Sequence, residues 1–474
     1  GAGGGDSRRV LNPVGPGIGD DIFASPGVRR SDGNNDYIPD ATFGFTPQVT
    51  GRSSPSFLTA AWFTDLFWDG RARTSFIDPD TGVTLIPNGG ALENQALGPL
   101  LSSAEMAHDA HNFGDLTAKL VNVRPMALAT NLPTDMANAI AGGVSYPDLF
   151  QAAFGSSSIS AARIAMAIAT YERTLVPDQT PYDAFLAGNQ NALTPQQVNG
   201  LGVFLGPGRC VICHTTGLFS DDGFHNLGLR PIANDNGRQS VTGNPADAGR
   251  FKTPSLRNVG LRNSFMHTGQ FTSLQQVFGF YLQGGGPNLQ NKDPQLLPLN
   301  VGPQAANDLI NFISNGLTDP RVAAGSAPFD RPTLRSQILP ANGFQYGLPT
   351  IGTGNQFPTM LPGVPANIGN IDFKVGVHNA RGGAASTLVL STAPTASVLS
   401  GVNLNVGLNG SELLIPWMLN GTPGVPGDGY GTLRVAVPNE PAIAGLALYA
   451  QWFIWDSGVA NGAAATQGAR LDLF

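Results

Sequence analysis

The spacing of apolar positions changes character once along this chain. Up to about residue 320 apolar residues recur at helical intervals in short stretches joined by long loops, and beyond about residue 370 they alternate with polar ones. The strongest helical stretch is 160–175, Ala-rich with Ile164, Ile168, Tyr171 and Leu175 on one stripe, which predicts a long buried helix. Thr194-Pro195-Gln196-Gln197 combines a capping box with Pro at the first helical position and predicts a helix through Phe204. A third helix is expected from about Pro303 to Asn315, with Leu309, Ile310, Phe312 and Ile313 inward and Gly316 as its stop. Weaker helical signals lie at 57–68 and 92–106, whereas residues 1–50, rich in Gly, Pro, Asp and Asn, predict irregular structure.

After a Pro/Gly-rich connector over 321–370, short alternating runs at 371–377, 387–391, 412–417, 432–437, 446–456 and 469–474 are separated by Gly, Pro and Asn turns. They predict an antiparallel β-sandwich. Trp417, Trp452 and Trp455 are expected to fill its core.

Length and composition bound the rest. A chain of 474 residues exceeds what one core serves, so two or three domains are expected. Charged residues make up only 12%, about half the usual share, against 61 Gly and 37 Pro, which predicts a loop-rich chain with a Ser/Thr/Asn/Gln surface. A net charge of −7 argues against nucleic acid as partner, and no run of 18 apolar residues is present to span a membrane. Gly1-Ala2-Gly3-Gly4-Gly5 lacks a hydrophobic signal core and reads as a processed end.

Both cysteines fall in Cys210-Val211-Ile212-Cys213-His214. That pattern is a haem c attachment site: each thiol can add across one porphyrin vinyl group, and the adjacent His214 then stands under the iron as an axial ligand. A structural zinc would need a second ligand pair, and there is no other cysteine. A thioredoxin-type pair would open a helix in a βαβ unit and has no need of the histidine, whereas Gly206-Pro207-Gly208-Arg209 reads as a loop. One covalently attached haem c is therefore expected. Such haems are attached outside the cytoplasm, which implies a periplasmic, cell-surface or secreted bacterial protein. Of the other histidines, His108 and His111 have a spacing that can bind metal on a helix, but an exposed polar face is the favoured reading; His378, in an expected strand or turn, carries no signal.

Leu66-Phe67-Trp68-Asp69-Gly70-Arg71-Ala72, Glu93-Asn94-Gln95-Ala96-Leu97-Gly98-Pro99, Glu105-Met106, Phe224-His225-Asn226-Leu227-Gly228, the run from Phe251 to Asn258, and Phe265-Met266-His267-Thr268-Gly269 form an ordered series around the haem motif. In these pieces the chain resembles the bacterial dihaem cytochrome c peroxidases and MauG-type enzymes over about residues 52–320. The resemblance implies mainly α-helical cytochrome c-like domains, and with the antiparallel β-sandwich read from the alternating runs the chain is expected to be a multidomain α+β protein. Its expected divisions are an irregular 1–50, a degenerate first cytochrome c-like domain over 51–180, a haem-binding one over 181–320, the linker 321–370 and the β domain 371–474.

The resemblance assigns Cys210, Cys213 and His214 to the family's second haem and Trp68 to the tryptophan between the two haems. Gln95 and Glu105 take the polar pair on the peroxide side of the first haem, where a carboxylate can move a proton. The first haem motif should precede Trp68, yet no cysteine precedes Cys210 and no histidine precedes His108. The family's calcium site also loses its pattern, with Thr59, Arg262 and Ser264 at its positions, so calcium is not expected. The distal haem ligand matches Tyr281, fourteen residues beyond His267, with Met266 as the alternative; His225 and His267 match positions near the haem.

Together these readings imply a single-haem electron-transfer protein that works with an electron-donor or acceptor redox protein. The alternatives are a functional peroxidase drawing on a donor cytochrome, with Glu105, Gln95 and Trp68 as its catalytic groups, or a haem-containing structural subunit. The β domain is expected to serve a larger assembly or surface attachment.

Overall fold

A computed structural model describes residues 7–9, 22–127, 129–334, 337, 344–362 and 366–473, and its helices form on apolar stripes, several of them opened by a polar side-chain cap. Much of the expected N-terminal segment, part of the connector and Phe474 of the last expected strand lie outside these residues. Contacts divide the chain into two compact units, neither continuous in sequence. One comprises 1–28, 47–107 and 160–330, the other 29–46, 108–159 and 331–474. Residues 108–159, expected with the first cytochrome-like segment, thus fall in the same unit as the C-terminal strands.

In the first unit, α1 (Ala91–Leu101) packs on α2 (Ala161–Thr174) through Ala91, Leu92, Ala96, Ala162, Ala165 and Ala169. Small side chains let the helices approach, and one buried ion pair fixes their register: Arg173 donates to both oxygens of Glu93 at 2.7 and 2.9 Å, with Glu93 only 2% exposed. Burial of such a carboxylate is tolerable only with this two-pronged partner. The expected helix at 57–68 is reduced to a single 3₁₀ turn, Ala60–Trp62. Thr59 and Phe67 both take positive φ, and Leu66 bridges back to Ala72, so the apolar residues enter the core from a loop.

Thr194 caps α3 (Pro195–Leu205) by accepting from Gln197 N at 3.2 Å, and Gln197 Oε1 accepts in return from Thr194 N at 2.9 Å. Helix α3 crosses α5 (Pro303–Asn311), with α4 (Leu274–Leu282) between them in sequence. Phe204, Phe219, Leu309 and Phe312 are essentially fully buried at that crossing. The helix expected to reach Asn315 changes winding at Phe312 and continues as a π-helical turn, Phe312–Gly316.

In the second unit the alternating runs become strands paired antiparallel throughout, with ends shifted by up to three residues from the expected ones. They are β3 (Lys374–Ala380), β4 (Ala385–Ser391), β7 (Leu413–Met418), β8 (Gly429–Arg434), β9 (Ala447–Trp455) and β11 (Gly468–Asp472), and the structure adds strands that the alternation did not announce: β1 (Phe344–Tyr346), β2 (Thr359–Pro362), β5 (Pro394–Leu399), β6 (Val402–Val406) and β10 (Ala463–Ala465). One sheet has the order β2-β3-β8, a second β7-β4-β9-β11-β1 with β10 on β9, and β5-β6 is a separate hairpin. Val375, Val377 and Leu433 of the first sheet share one hydrophobic cluster with Leu388, Trp452 and Ile454 of the second. Strands β1 and β2 lie within the stretch expected to be connector. Trp452 is fully buried as expected, but Trp417 is 42% and Trp455 64% exposed, a correction with two causes: Trp455 points to the opposite face from Trp452 and Ile454, and Trp417, although on the face of Ile415, sits on the edge strand β7.

Segment 29–46 docks on the same unit. Tyr37 N donates to Thr432 Oγ1, and the Lys374 ammonium donates to Ser31 Oγ, Asn35 O and Asn35 Oδ1.

Candidate functional site

Helix α3 delivers the chain to the cysteines. Its last residue, Leu205, is followed by Gly206-Pro207-Gly208 and by Arg209 in the left-handed region at φ 55°, which turns the backbone into a 3₁₀ turn, Cys210–Ile212. His214 N donates to Cys210 O at 2.8 Å and closes the motif. Cys210, Cys213 and His214 line one deep, mostly apolar cavity whose walls include Leu227, Leu256, Val259, Phe278 and Ile313. Burial pushes the Cys210 thiol up to about 12, so in the free chain it is a protonated thiol. His214 Nδ1 lies 2.8 Å from Phe219 O. A carbonyl can only accept, which assigns the proton to Nδ1 and leaves the Nε2 lone pair free. Burial also holds His214 below the ordinary imidazole range, keeping it neutral.

The same cavity collects Trp68, Met266, His267 and Tyr281. Tyr281 comes from the last turn of α4, and burial, reinforced by Cys213 and Cys210, raises its phenol far above the usual value. No hydrogen bond reaches its hydroxyl among the described residues. Met266 is held at φ 69° in a tight turn closed by Gly269 N donating to Met266 O at 3.1 Å. His267 is 5% exposed, stacks on Phe251 with centroids 3.6 Å apart and meets Trp68 edge-on at 6.2 Å. Its Nε2 has no protein partner, and burial drops its pKa to about 3. Trp68 is fixed by Nε1 donating to Ser53 O at 2.7 Å.

His225 stands at the cavity wall between two carboxylates, Asp293 Oδ2 at 2.6 Å and Asp221 Oδ2 at 2.9 Å. The neighbouring Cys213 and then these carboxylates raise it to about 10. Sequence reasoning missed both partners. Asp221 sits four residues before His225 and carried a readable signal, but Asp293 is 68 residues away and carried none. It also missed Phe251 as a stacking partner and the Arg52 network beside it, in which Arg52 Nη1 reaches Asp69 at 2.6 Å and Nη2 reaches Asp235 at 2.7 Å.

The family described as di-haem cytochrome c peroxidase matches residues 29–191. Methylamine utilization protein MauG of Methylorubrum extorquens is 31% identical over 283 residues, 59% of this chain and 67% of that protein. Cytochrome-c peroxidase IdrP1 of a Pseudomonas species is 31% identical over 322 residues, 61% of this chain and 73% of that protein. The chain belongs to the di-haem cytochrome c peroxidase and MauG family. A crystal structure of a MauG-like protein associated with microbial copper homeostasis aligns over 65% of this chain and 83% of its own, at 24% identity and a TM-score of 0.46.

Membership supports a haem cofactor, and the cavity fits one. It offers two thiols beside a neutral imidazole with a free Nε2, an apolar wall with the Tyr281 hydroxyl in it, and one buried polar atom, His267 Nε2, that finds no protein partner. The other family positions lie elsewhere. Gln95 is half-buried on α1 and Glu105 is half-buried in the turn after it, with Glu105 N donating to Ser102 O at 3.0 Å; neither lines this cavity. At the expected calcium positions Thr59 is buried at φ 70°, Ser264 is 5% exposed, and Arg262 Nη2 donates to Ser54 O at 2.9 Å.

Among the described residues no helix is long and apolar enough to cross a membrane.

Proposed function

We propose that this chain is an exported redox protein carrying one haem c, and that it passes single electrons between partner proteins. Cys210 and Cys213 would provide the two thioether tethers, and His214 Nε2 and the Tyr281 phenolate would ligate the iron. Bound there, the haem supplies a one-electron iron couple, which phenolate ligation biases toward Fe(III) and low potential. His214 is oriented by the Phe219 carbonyl, Met266 and His267 form part of the wall, and His267 Nε2 is available to donate to an anionic edge of the cofactor. The observation that carries this reading is a phenol without a hydrogen bond in the same cavity as the attachment motif. A core tyrosine usually finds a hydrogen-bond partner for its hydroxyl. The single haem is supported by the lack of any cysteine before Cys210 in these 474 residues.

Calcium is not part of the proposal, because Arg262 puts a guanidinium, which donates to Ser54 O, at a position of the family's calcium pattern. The segments 51–180 and 181–320 are read as the two cytochrome c-like pieces of the family. The two C-terminal sheets are read as a β-sandwich serving assembly or surface attachment.

Haem quantitation with the absorption spectrum of the purified chain tests the proposal. One haem per chain without the long-wavelength methionine band is expected; none or two overturns the single-haem reading. An unchanged spectrum in Tyr281→Phe removes tyrosine as ligand in favour of Met266.

A second reading is peroxide reduction with a donor cytochrome, and the placement of Trp68 on the cavity wall favours it. Steady-state turnover on the order of 1 to 1,000 per second would establish that activity. If haem loss by Cys210→Ala and Cys213→Ala disturbed assembly alone, with electron flow unaffected, the protein would be a structural subunit.

A further inference from the structure

His108 and His111 do not share a helix face. They lie in the irregular stretch before the Phe113–Asn122 helix, and their rings meet edge to face with centroids 4.7 Å apart. His111 Nδ1 is 3.1 Å from His108 Nε2 and 3.6 Å from Asp115 Oδ2. One atom from each of the three side chains lies within 4.8 Å of the others. Two ligand atoms at about 2.0 to 2.1 Å from one tetrahedral ion stand about 3.4 Å apart, and the two measured separations bracket that value. We propose that His108 Nε2, His111 Nδ1 and the Asp115 carboxylate bind one divalent transition cation of the zinc class.

Each ligand is positioned by a second contact. His108 Nδ1 lies 2.8 Å from Asp109 O, so Nδ1 carries the proton and the Nε2 lone pair faces the cluster. Asp115 is held by Asn112, whose backbone N and Nδ2 donate to Oδ2 at 3.2 and 2.7 Å, and the carboxylate keeps further lone pairs for an ion. Asp372 adds negative charge facing His111, and Lys119, a turn further along the helix, opposes it. Two imidazoles and one carboxylate suit zinc and its neighbours, whereas calcium takes six or more oxygens and magnesium an octahedral shell of them. With Asp115 exposed, a fourth position stays open to water. The cluster uses no residue of the haem cavity, so its failure leaves the haem reading untouched.

The test is calorimetric titration of the untagged, haem-loaded, chelator-stripped chain with Zn²⁺. One equivalent binding with micromolar or tighter affinity is expected, weakened roughly tenfold or more by His108→Asn or His111→Asn and less by Asp115→Asn. No binding by the wild-type chain, or equal binding by His111→Asn, overturns the site. If a variant fails to fold, zinc-edge X-ray absorption of the wild-type chain decides: imidazole scattering supports the proposal, and its absence overturns it.

Discussion

Tyr281 is half-buried on the wall of the haem cavity with no hydrogen bond to its hydroxyl among the described residues, so the oxygen is available to a ligand there. Replacing it with Met should raise the midpoint potential on the order of 0.1 V, a fraction of the roughly 0.8 V that axial ligands span, as read by spectroelectrochemical titration. His378 makes a different prediction, in stability. It stacks on Phe45 with centroids 5.1 Å apart, and burial with the nearby Arg29 drops its pKa to about 4. The unfolded chain, with an imidazole near 6.5, binds the proton more tightly, so the native state is favoured above pH 6.5 and loses that advantage as pH falls through 4. The loss should approach ~3 kcal/mol, visible as a urea midpoint that falls more steeply between pH 6.5 and 4 than in His378→Gln. At this scale the sequence was legible where chemistry is local, as in the five residues of the haem motif. It was silent where the partner is distant: nothing near His225 announces Asp293, and nothing near His267 announces that its ring lies flat on Phe251.

Caps and stripes made some elements readable and left others unseen. Ser160 and Thr194 both cap the helices their spacing predicts, because an N-cap is decided within four residues. Helix α4 was missed although Ser273 caps it, since Leu274-Gln275-Gln276-Val277-Phe278 gives too short a stripe to separate helix from loop. At 57–68 the apolar residues were real core residues, but two positive-φ positions turned the backbone out of the helix. The crossing of α3 with α5 was also invisible, and it rests on Gly200. A Cβ there would sit 2.1 Å from Asp308 O and 2.7 Å from Phe312 Cβ, and the backbone carbonyl cannot yield. Gly200→Ala should therefore destabilise the chain by about 1 to 3 kcal/mol despite the better helix former, lowering Tm by several degrees. Because α3 leads into Cys210, the same variant should also reduce haem incorporation, measured as haem per chain.

Over the whole molecule, contiguity was the assumption that sequence reading could not avoid. Periodicity and composition mark where patterns change along the chain, and they placed the helix-to-strand transition correctly in outline. They cannot report that 29–46 and 108–159 join the unit of the C-terminal strands, because those contacts arise from pairings hundreds of residues apart, such as Tyr37 with Thr432 and Lys374 with Ser31. The family match over 29–191 runs across both units, and the attachment motif at 210–214 lies beyond it. Relatives therefore set the kind of chemistry, while the number of haems rests on this chain's own cysteines. If Tyr281 fills the second axial position of a single haem, no coordination site is left for peroxide. The intact chain should then reduce peroxide at well under about 1 per second, below the range of ordinary enzymes. Tyr281→Ala, which removes the phenol and leaves His214 in place, should raise that rate at least tenfold while retaining one haem per chain. An intact chain that already turns over at enzyme-like rates, or a Tyr281→Ala chain whose rate does not move, would separate the redox function from the ligand assigned here.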